Sequence, residues 1–358
     1  MNRELKQIFK ESGEKNFTNE NYAELGTKII SRIEETMANF NSNDTMTSSK
    51  DAVADYEKCL LNNDDKNDNA GLMSGIEPID NVLRGFKSGK MIIVAARPGI
   101  GKSAFALNCA ANVAKQLMKN NKSKNVNQKK ECIIMFSLEM ETKELVGRII
   151  SSESKVSFNM CEFEKLGGFQ KNSIMAALND LREMPIFFGT SSSTSMLDIE
   201  NTLKKYSTTH KIRMVIIDYL GLIDSNLAKR ANEEREIAAR NSKTIKRLAM
   251  HYHIPILLLS QLNRDVESRE THNFTSKTGN NIILEPEPKL RDLALSGSIE
   301  QDADIVCFLC KERANDKSDK ITIKFIIEKN RDGGNGKIKL LFDRPVQSFI
   351  AIKDEKGE

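Results

Sequence analysis

A glycine-rich loop that ends in Lys-Ser is the stretch of this chain whose residues point most directly to chemistry. It follows the apolar run 91–94 and precedes a run of small residues with helical character. Backbone N–H groups of such a loop surround nucleotide phosphates, and the lysine adds positive charge at the β- and γ-phosphates. The predicted ligands of a nucleoside triphosphate are Arg97, Pro98, Gly99, Ile100, Gly101, Lys102, Ser103 and Ala104.

Two polar residues are suited to a magnesium ion beside these phosphates. Ser103 follows the loop lysine, which is the usual place of a hydroxyl that binds Mg²⁺. Asp218 ends the apolar run 214–217, where an ionised carboxylate is costly unless it is paired or binds a cation. We therefore predict that Ser103 and Asp218 hold Mg²⁺, in preference to a structural Asp218 that caps the next turn.

Glu139 and Gln261 also follow apolar runs, and each has two interpretations. Glu139 is either the general base that activates water for attack on the γ-phosphate, or a first-turn residue stabilised by a helix dipole, with Ser137 as the N-cap. Gln261 either hydrogen-bonds the γ-phosphate or the attacking water, or is a polar residue where a strand becomes a loop. The residues alone do not choose between them.

Lys329 and Arg331 form a third group, beside the glycine-rich turn 333–336. Cations that flank a turn are usually just solvated. They could instead reach the nucleotide of a neighbouring subunit and neutralise the charge that develops during its hydrolysis. Both interpretations remain open from the spacing.

Strands that alternate with helices must position these residues. The predicted strands are 91–95, 132–136, 214–217, 254–259, 304–309 and 321–327. The last of them pairs with 337–342 as an antiparallel hairpin. We predict an α/β domain with a mostly parallel central sheet, in which ligands bind at the carboxyl ends of the strands.

Residues 1–70 have a different character. They carry 9 Lys and Arg against 14 Asp and Glu, a net charge of −5, whereas the remainder has a net charge of +9. Apolar spacing predicts a helix over 22–37 and a shorter one over 50–61. A short amphipathic helix must bury its apolar face, either on its own domain or on a neighbouring subunit. We predict a short helical N-terminal region before the α/β domain.

The composition is that of an ordinary globular protein. Of 358 residues, 39% are hydrophobic and 29% charged, and no apolar stretch is long enough to span a bilayer. We expect a cytoplasmic protein without a membrane partner. Cys307 and Cys310 lie three apart in a predicted strand, where they would face opposite sides and could not share a metal ion, so we expect buried thiols instead.

Taken together, these segments resemble the ATPase domain of the DnaB-type hexameric replicative helicases, which has a RecA-like fold with a phosphate-binding P-loop. The matching stretches are 75–80, 95–103, 136–140, 216–220, 259–264, 296–304 and 329–336. They are collinear and cover about 72 to 345. Ala96, where the general P-loop pattern has glycine, is itself similar to the family's version of the loop.

The resemblance implies a role for each polar residue. Glu139 becomes the catalytic base and Gln261 the γ-phosphate sensor, and Lys102 is a further catalytic residue. Lys329 and Arg331 act in trans on ATP held by the adjacent subunit. The resemblance also implies a homohexamer that uses ATP and Mg²⁺ and translocates 5′ to 3′ on single-stranded DNA. A helicase loader or a primase is an implied partner, and the nucleoid the implied location.

Domain boundaries and DNA contacts follow from the same resemblance. Residues 1–48 are then a reduced or divergent helical arm, 49–71 a linker helix and linker, and 72–358 the RecA-like domain. Channel loops of the family bind the DNA backbone, but here Ala294-Leu295 replaces the usual Arg-Glu and the loop is longer, through 271–290. The candidate DNA-binding residues are Lys229, Arg230, Arg235, Lys289, Arg291 and Gly297.

A second function stays in view. A RecA-like ATPase that assembles on DNA, or remodels protein partners without unwinding, would share the fold and the nucleotide site. The short N-terminal region and the altered channel loop are the features that keep this alternative open.

Overall fold

A central sheet with helices on both faces dominates the part of the chain that the structure describes. We describe a computed structural model over 48–61, 71–125, 128–159, 165–191, 194–224, 231–263, 272–275, 281–293, 296–313, 316 and 318–352. The chain separates into two compact units, residues 1–65 and 66–358. The helix predicted over 22–37 lies outside the described residues.

The helices are α1 Ser49–Leu61, α2 Glu77–Leu83, α3 Lys102–Lys122, α4 Thr142–Ser154, α5 Gly168–Glu183, α6 Met196–Thr209, α7 Ala231–Tyr252 and α8 Ser296–Asp302. The strands are β1 Met91–Ala96, β2 Lys130–Ser137, β3 Ile186–Thr190, β4 His210–Asp218, β5 Ile256–Gln261, β6 His272–Thr275, β7 Asn281–Leu284, β8 Ile305–Lys311, β9 Lys320–Asn330, β10 Gly336–Asp343 and β11 Ser348–Ala351. None of these helices is both long and apolar enough to cross a membrane.

The main sheet has the strand order β11-β10-β9-β8-β1-β5-β4-β2-β3. The strands from β8 to β3 in this order pair in parallel, and β9, β10 and β11 are antiparallel. The predicted α/β class and the mostly parallel sheet are confirmed. β6 and β7 form a separate antiparallel pair.

Two hydrophobic layers cover the sheet, one on each face. Phe105 and Leu107 of α3 pack with one set of strand residues, and Ile245 and Ala249 of α7 pack with the other. Six-residue β1 is buried along its whole length, which explains why its sequence is continuously apolar rather than alternating. This burial holds β1 rigid, so the loop that follows it starts from a fixed point.

Sequence patterns located the central strands better than the outer ones. Every predicted strand is present, with bounds that move by a few residues. β3 and β11 were missed because they are edge strands of four or five residues with weak alternation. Cys307 and Cys310 belong to opposite hydrophobic layers, as predicted. Among the described residues, no group of three or more His, Cys, Asp and Glu side chains is arranged to hold a metal ion.

Helix α1 in the first unit agrees with the predicted helix over 50–61. Ser48 begins it by accepting a hydrogen bond from the Asp51 N–H at 3.1 Å, which satisfies one of the free donors of the first turn. Val53 and Tyr56 are both more than half exposed in the described chain. The helix therefore carries apolar surface that its own turns do not cover.

Asp304, one residue before β8, connects strand β1 to helix α7. Its Oδ2 accepts the Met91 N–H at 2.9 Å and pairs with Lys246 Nζ of α7 at 2.6 Å. The Asp304 side chain is only 5% exposed. A buried carboxylate is tolerated because both a cation and a backbone donor satisfy it.

We expect Asp304→Ala to lower the free energy of unfolding by about 3 kcal/mol, because it leaves the buried Met91 N–H without its acceptor and leaves Lys246 with only the Gly89 carbonyl. Urea titration followed by circular dichroism measures the effect. Asp332→Ala is the control, because Asp332 pairs with Lys90 near the surface, and its loss should cost less than about 1 kcal/mol. Equal losses in both variants would contradict a structural role specific to Asp304.

Candidate nucleotide site

Parallel pairing brings the ends of four strands together at the carboxyl-terminal edge of the sheet, where the parallel strands end. Ala96 at the end of β1 is in register with Gln261 at the end of β5, and Ser137 of β2 with Asp218 of β4. Residues far apart in the sequence thus meet where the chain leaves the sheet. This is the edge at which ligands bind in open α/β sheets.

The phosphate loop between β1 and α3 has the conformation that an anion site needs. Gly101 precedes α3 with a φ of +96°, a left-handed value that disfavours any other residue. A Cβ at Gly101 would lie 2.7 Å from the Phe342 ring of β10. Glycine is therefore required both by backbone conformation and by the close approach of this ring.

Ser103, Lys102 and Asp218 form a polar cluster at the start of α3. The Ser103 hydroxyl donates to Asp218 Oδ2 at 2.5 Å, and Lys102 Nζ lies 3.3 Å from Asp218 Oδ1. Lys102 Nζ also lies 4.7 Å from the centre of the Tyr219 ring. Burial raises the pKa of Tyr219, and the negative charges of Glu139 and Asp218 raise it further.

The donor set of this cluster fits a hard divalent cation. Asp218 is fully buried, and its Oδ1 accepts no hydrogen bond from the residues that the structure describes. Carboxylate and hydroxyl oxygens are ligands that Mg²⁺ prefers. Asp218 and Ser103 would hold the ion, and Lys102 would then be free to turn toward phosphate oxygens.

Glu139 lies in a turn between β2 and α4, and its side chain is exposed toward the same cleft. Ser137 Oγ accepts the Met140 N–H at 3.3 Å and thereby shapes this turn. Helix α4 begins only at Thr142. The interpretation of Glu139 as a first-turn residue capped by Ser137 is therefore wrong, because the chain makes a separate turn before the helix.

Gln261 is the last residue of β5, next to the phosphate loop. Leu262, which follows it, donates its N–H to the Ala96 carbonyl at 3.3 Å. The Gln261 side chain is partly exposed and lines the cleft with Lys102 and Glu139. The chain therefore leaves β5 against the end of β1, which places Gln261 beside the phosphate loop.

The cleft itself has a volume of about 460 Å³ and includes residues that the sequence analysis missed. Arg148 of α4 donates to Gln347 Oε1 at 2.9 Å and to Glu144 Oε1 at 2.7 Å. Its Nε is buried and has no hydrogen-bond partner among the described residues. The four-residue spacing of Glu144 and Arg148 was visible in the sequence, but Gln347 lies about 200 positions away.

Lys329 and Arg331 lie at the opposite, amino-terminal edge of the sheet, where the parallel strands begin. β1 pairs with β8 from Ile92–Ile305 to Ala96–Leu309, and Asn330 pairs with Ile305. At about 3.3 Å per residue, that length of strand separates the two edges by roughly 13 Å. These cations and Lys102 of the same chain are therefore not part of one cleft.

Both cations bind carbonyl groups at the end of α8. Lys329 Nζ donates to the Glu300 carbonyl at 2.6 Å, and Arg331 Nη2 to the Gln301 carbonyl at 2.7 Å. The pKa of Lys329 is lowered, mainly by burial and also by the nearby Arg331. Cations are favourable at a helix C-terminus, so the cations have a structural role in the isolated chain.

The candidate DNA-binding residues are distributed over three elements. Arg235 is exposed on α7, and Lys289 and Arg291 are exposed in the segment before α8. Gly297 lies in the first turn of α8. Lys229 and Arg230 lie outside the described residues.

Comparison with known proteins places this geometry in a family. The model of the DnaB-like helicase C-terminal domain matches residues 71–351. The chain belongs to this family. A solved ATPase domain superposes on this chain with a TM-score of 0.70 at 26% identity, covering 86% of this chain and all of that one. The resemblance and the RecA-like class are confirmed.

Curated relatives extend beyond the present chain. A replicative DNA helicase DnaB of Mycoplasma genitalium is 32% identical over 85% of this chain and 61% of its own length. One from Geobacillus stearothermophilus is 32% identical over 79% and 57%. The chain thus spans about three fifths of their length. A DnaB-like replicative helicase, solved to describe its interactions with primase, shares the fold with a TM-score of 0.67.

The close approach at Gly101 leads to a prediction. Gly101→Ala should weaken nucleotide binding at least about 10-fold and lower the melting temperature, because the new methyl group meets Phe342 and the left-handed φ costs about 1–2 kcal/mol. Gly99→Ala is the control: its φ is +78°, and beyond its chain neighbours no atom lies within 4 Å of the place that the methyl group would take. Fluorescent nucleotide titration and thermal denaturation compare the two. Equal effects would exclude the Phe342 contact as the cause.

Proposed function

We propose that this chain is an ATP-dependent replicative DNA helicase that translocates 5′ to 3′ on single-stranded DNA as a hexameric ring. One observation carries the proposal. Lys102, Ser103, Glu139 and Gln261 line one cleft, and the buried Asp218 contacts Ser103 and Lys102 directly behind it, as a nucleotide-hydrolysing site requires. The names of the relatives favour a helicase over an ATPase that remodels proteins without unwinding.

Each residue of the cleft has a chemical task in this proposal. The N–H groups of the phosphate loop and Lys102 bind the β- and γ-phosphates of ATP. Bound Mg²⁺, held by Ser103 and Asp218, would neutralise charge on the phosphates. Glu139 takes a proton from the attacking water, and Gln261 hydrogen-bonds that water or the γ-phosphate. Arg148, which lines the same cleft, supplies a further guanidinium.

The catalytic site is completed by a second subunit in this proposal. Lys329 and Arg331 cannot contact the nucleotide of their own chain from the opposite edge of the sheet. In a ring of head-to-tail contacts, that edge of one subunit faces the phosphate loop of the next. Arg331, whose side chain is about half exposed, would then neutralise the developing charge together with Lys329.

The remaining assignments follow the same proposal. Single-stranded DNA contacts residues around the ring channel. The candidates within the described residues are Arg235, Lys289, Arg291 and Gly297, and the other candidates are Lys229 and Arg230.

Residues 1–48 form an arm, 49–71 a linker helix and linker, and 72–358 the RecA-like ATPase domain. The exposed Val53 and Tyr56 of α1 suit docking on a neighbour. A loader or primase is a proposed partner, and the nucleoid in the cytoplasm the proposed location.

A forked-duplex assay with ATP and Mg²⁺ tests the proposal directly. We expect strand separation that requires a 5′ single-stranded arm and weakens with salt, because phosphate contacts release counterions. Lys102→Ala should reduce ATP turnover at least about 100-fold and abolish unwinding. Lys90→Ala is the control, because Lys90 pairs with Asp332 away from the cleft. ATPase activity stimulated by DNA without strand separation would favour the remodelling alternative.

Mixed rings test whether the site is shared. Arg331→Ala and Glu139→Gln should each be inactive, but an equal mixture should recover up to about one quarter of the activity, because a quarter of interfaces then combine two intact halves. The control mixture is Lys102→Ala with Glu139→Gln, in which every subunit has a defective cleft, and it should stay inactive.

No recovery at any ratio would exclude a trans role of Arg331.

Light scattering at micromolar protein with ATP and Mg²⁺ should show the hexamer. A monomer under those conditions would overturn the ring itself.

A further inference from the structure

A short segment before α8, residues 285–293, connects the phosphate loop to the residues that follow Gln261. We call it the strap. Its first anchor is Glu285, whose side chain is only 8% exposed. Glu285 Oε2 accepts the Lys311 N–H at the end of β8 at 3.1 Å, and Oε1 lies 3.6 Å from Arg97 Nη1. A buried carboxylate thus contacts the phosphate loop directly.

The second anchor lies at the other end of the strap. Asn263 donates its N–H to the Asp292 carbonyl at 2.8 Å, and its side-chain amide to the Leu293 carbonyl at 3.3 Å. Leu262 and Leu293 also form an isolated antiparallel bridge. The strap is therefore attached one or two residues after Gln261, the candidate γ-phosphate sensor.

The exposed candidate DNA contacts lie between these anchors. The Lys289 N–H is bound by Asp292 Oδ2 at 2.7 Å, which shapes the turn that carries Lys289 and Arg291. Both side chains are exposed. A displacement of either anchor would therefore change the position of two cations that face solvent.

Arg97 can bind either the strap or a phosphate. It lines the nucleotide cleft with Lys102 and Gln261, and its side chain is 34% exposed. A guanidinium pairs strongly with carboxylate and phosphate alike. A triphosphate in the cleft therefore competes with Glu285 for Arg97, and the loss of that partner weakens the first anchor of the strap.

We propose that Glu285 is a positioning residue that couples nucleotide binding to single-stranded DNA binding through Arg97 and the strap. The inference rests on the proposed function, because it assigns DNA to Lys289 and Arg291. Coupling is reciprocal, so DNA changes nucleotide affinity by the same factor by which nucleotide changes DNA affinity.

Glu285→Gln tests the coupling in the full chain. We measure the Kd of a fluorescent, non-hydrolysable ATP analogue with and without an oligo(dT) strand. The wild-type protein should show at least about a 5-fold change on adding DNA, and Glu285→Gln a change close to 1. Without DNA, Glu285→Gln should bind the analogue more tightly, because Arg97 is released for phosphate. General structural damage would instead weaken binding.

Two further variants control for folding and position. Glu287→Gln removes another carboxylate of the strap, which binds Lys324 and Lys337, and it should keep the wild-type coupling. Arg97→Gln leaves Glu285 its backbone donor and should lose the coupling. The double variant should lose no more than either single variant, because the two residues act as one unit.

Several outcomes would overturn the inference. Wild-type coupling in Glu285→Gln or Arg97→Gln would do so, as would equal loss in Glu287→Gln. Failure of the proposed function is separable from these results. In that case the wild-type protein itself would show neither unwinding of the fork nor stimulation of its ATPase by oligo(dT). A wild-type protein that unwinds the fork but shows no coupling would overturn only the role of Glu285.

Discussion

The candidate nucleotide site depends most on the contacts that the Asp218 carboxylate makes with Ser103 and Lys102. This carboxylate lies fully buried at the end of β4, two strands away from β1, and binds both Ser103 and Lys102 at the start of α3. An ionised group in that position would be costly without these partners. The cost is offset only when β4, β5 and β1 are in register. The phosphate loop therefore has its correct geometry only when the strands of the sheet pair correctly.

The two edges of the sheet, at the carboxyl and the amino ends of the parallel strands, therefore carry different functional groups. The polar groups of the candidate nucleotide site lie at the carboxyl ends of the parallel strands. Asp304, Lys329 and Arg331 lie at the other edge, where β9 returns antiparallel to β8. A single subunit cannot bring both edges to one nucleotide, because the length of the paired strands β1 and β8 separates them. The geometry that stabilises the domain therefore also makes assembly a condition of hydrolysis in the proposed function.

Much of this organisation could be predicted from the sequence, for identifiable reasons. Buried parallel strands are continuously apolar, so β1, β4 and β5 were found, and the polar residue after each one marked the binding edge. Edge strands β3 and β11 were missed because they are only four or five residues long and their sequences alternate weakly. Arg148 and Glu285 were missed for a different reason. Their partners, Gln347 and Arg97, are nearly 200 positions away in the chain, and no local pattern predicts such a contact.

The state of Lys329 and Arg331 bears on how an assembled site would be controlled. Each donates to a carbonyl at the end of α8, and Arg331 Nη1 also lies 3.6 Å from Asp304 Oδ1. A cation that is to reach a neighbour's phosphate must give up such bonds, which are weak at a half-exposed site. The exchange is favourable only when a highly charged group arrives. In the proposed ring, helix α8 therefore holds the cations in place until a neighbour presents its triphosphate.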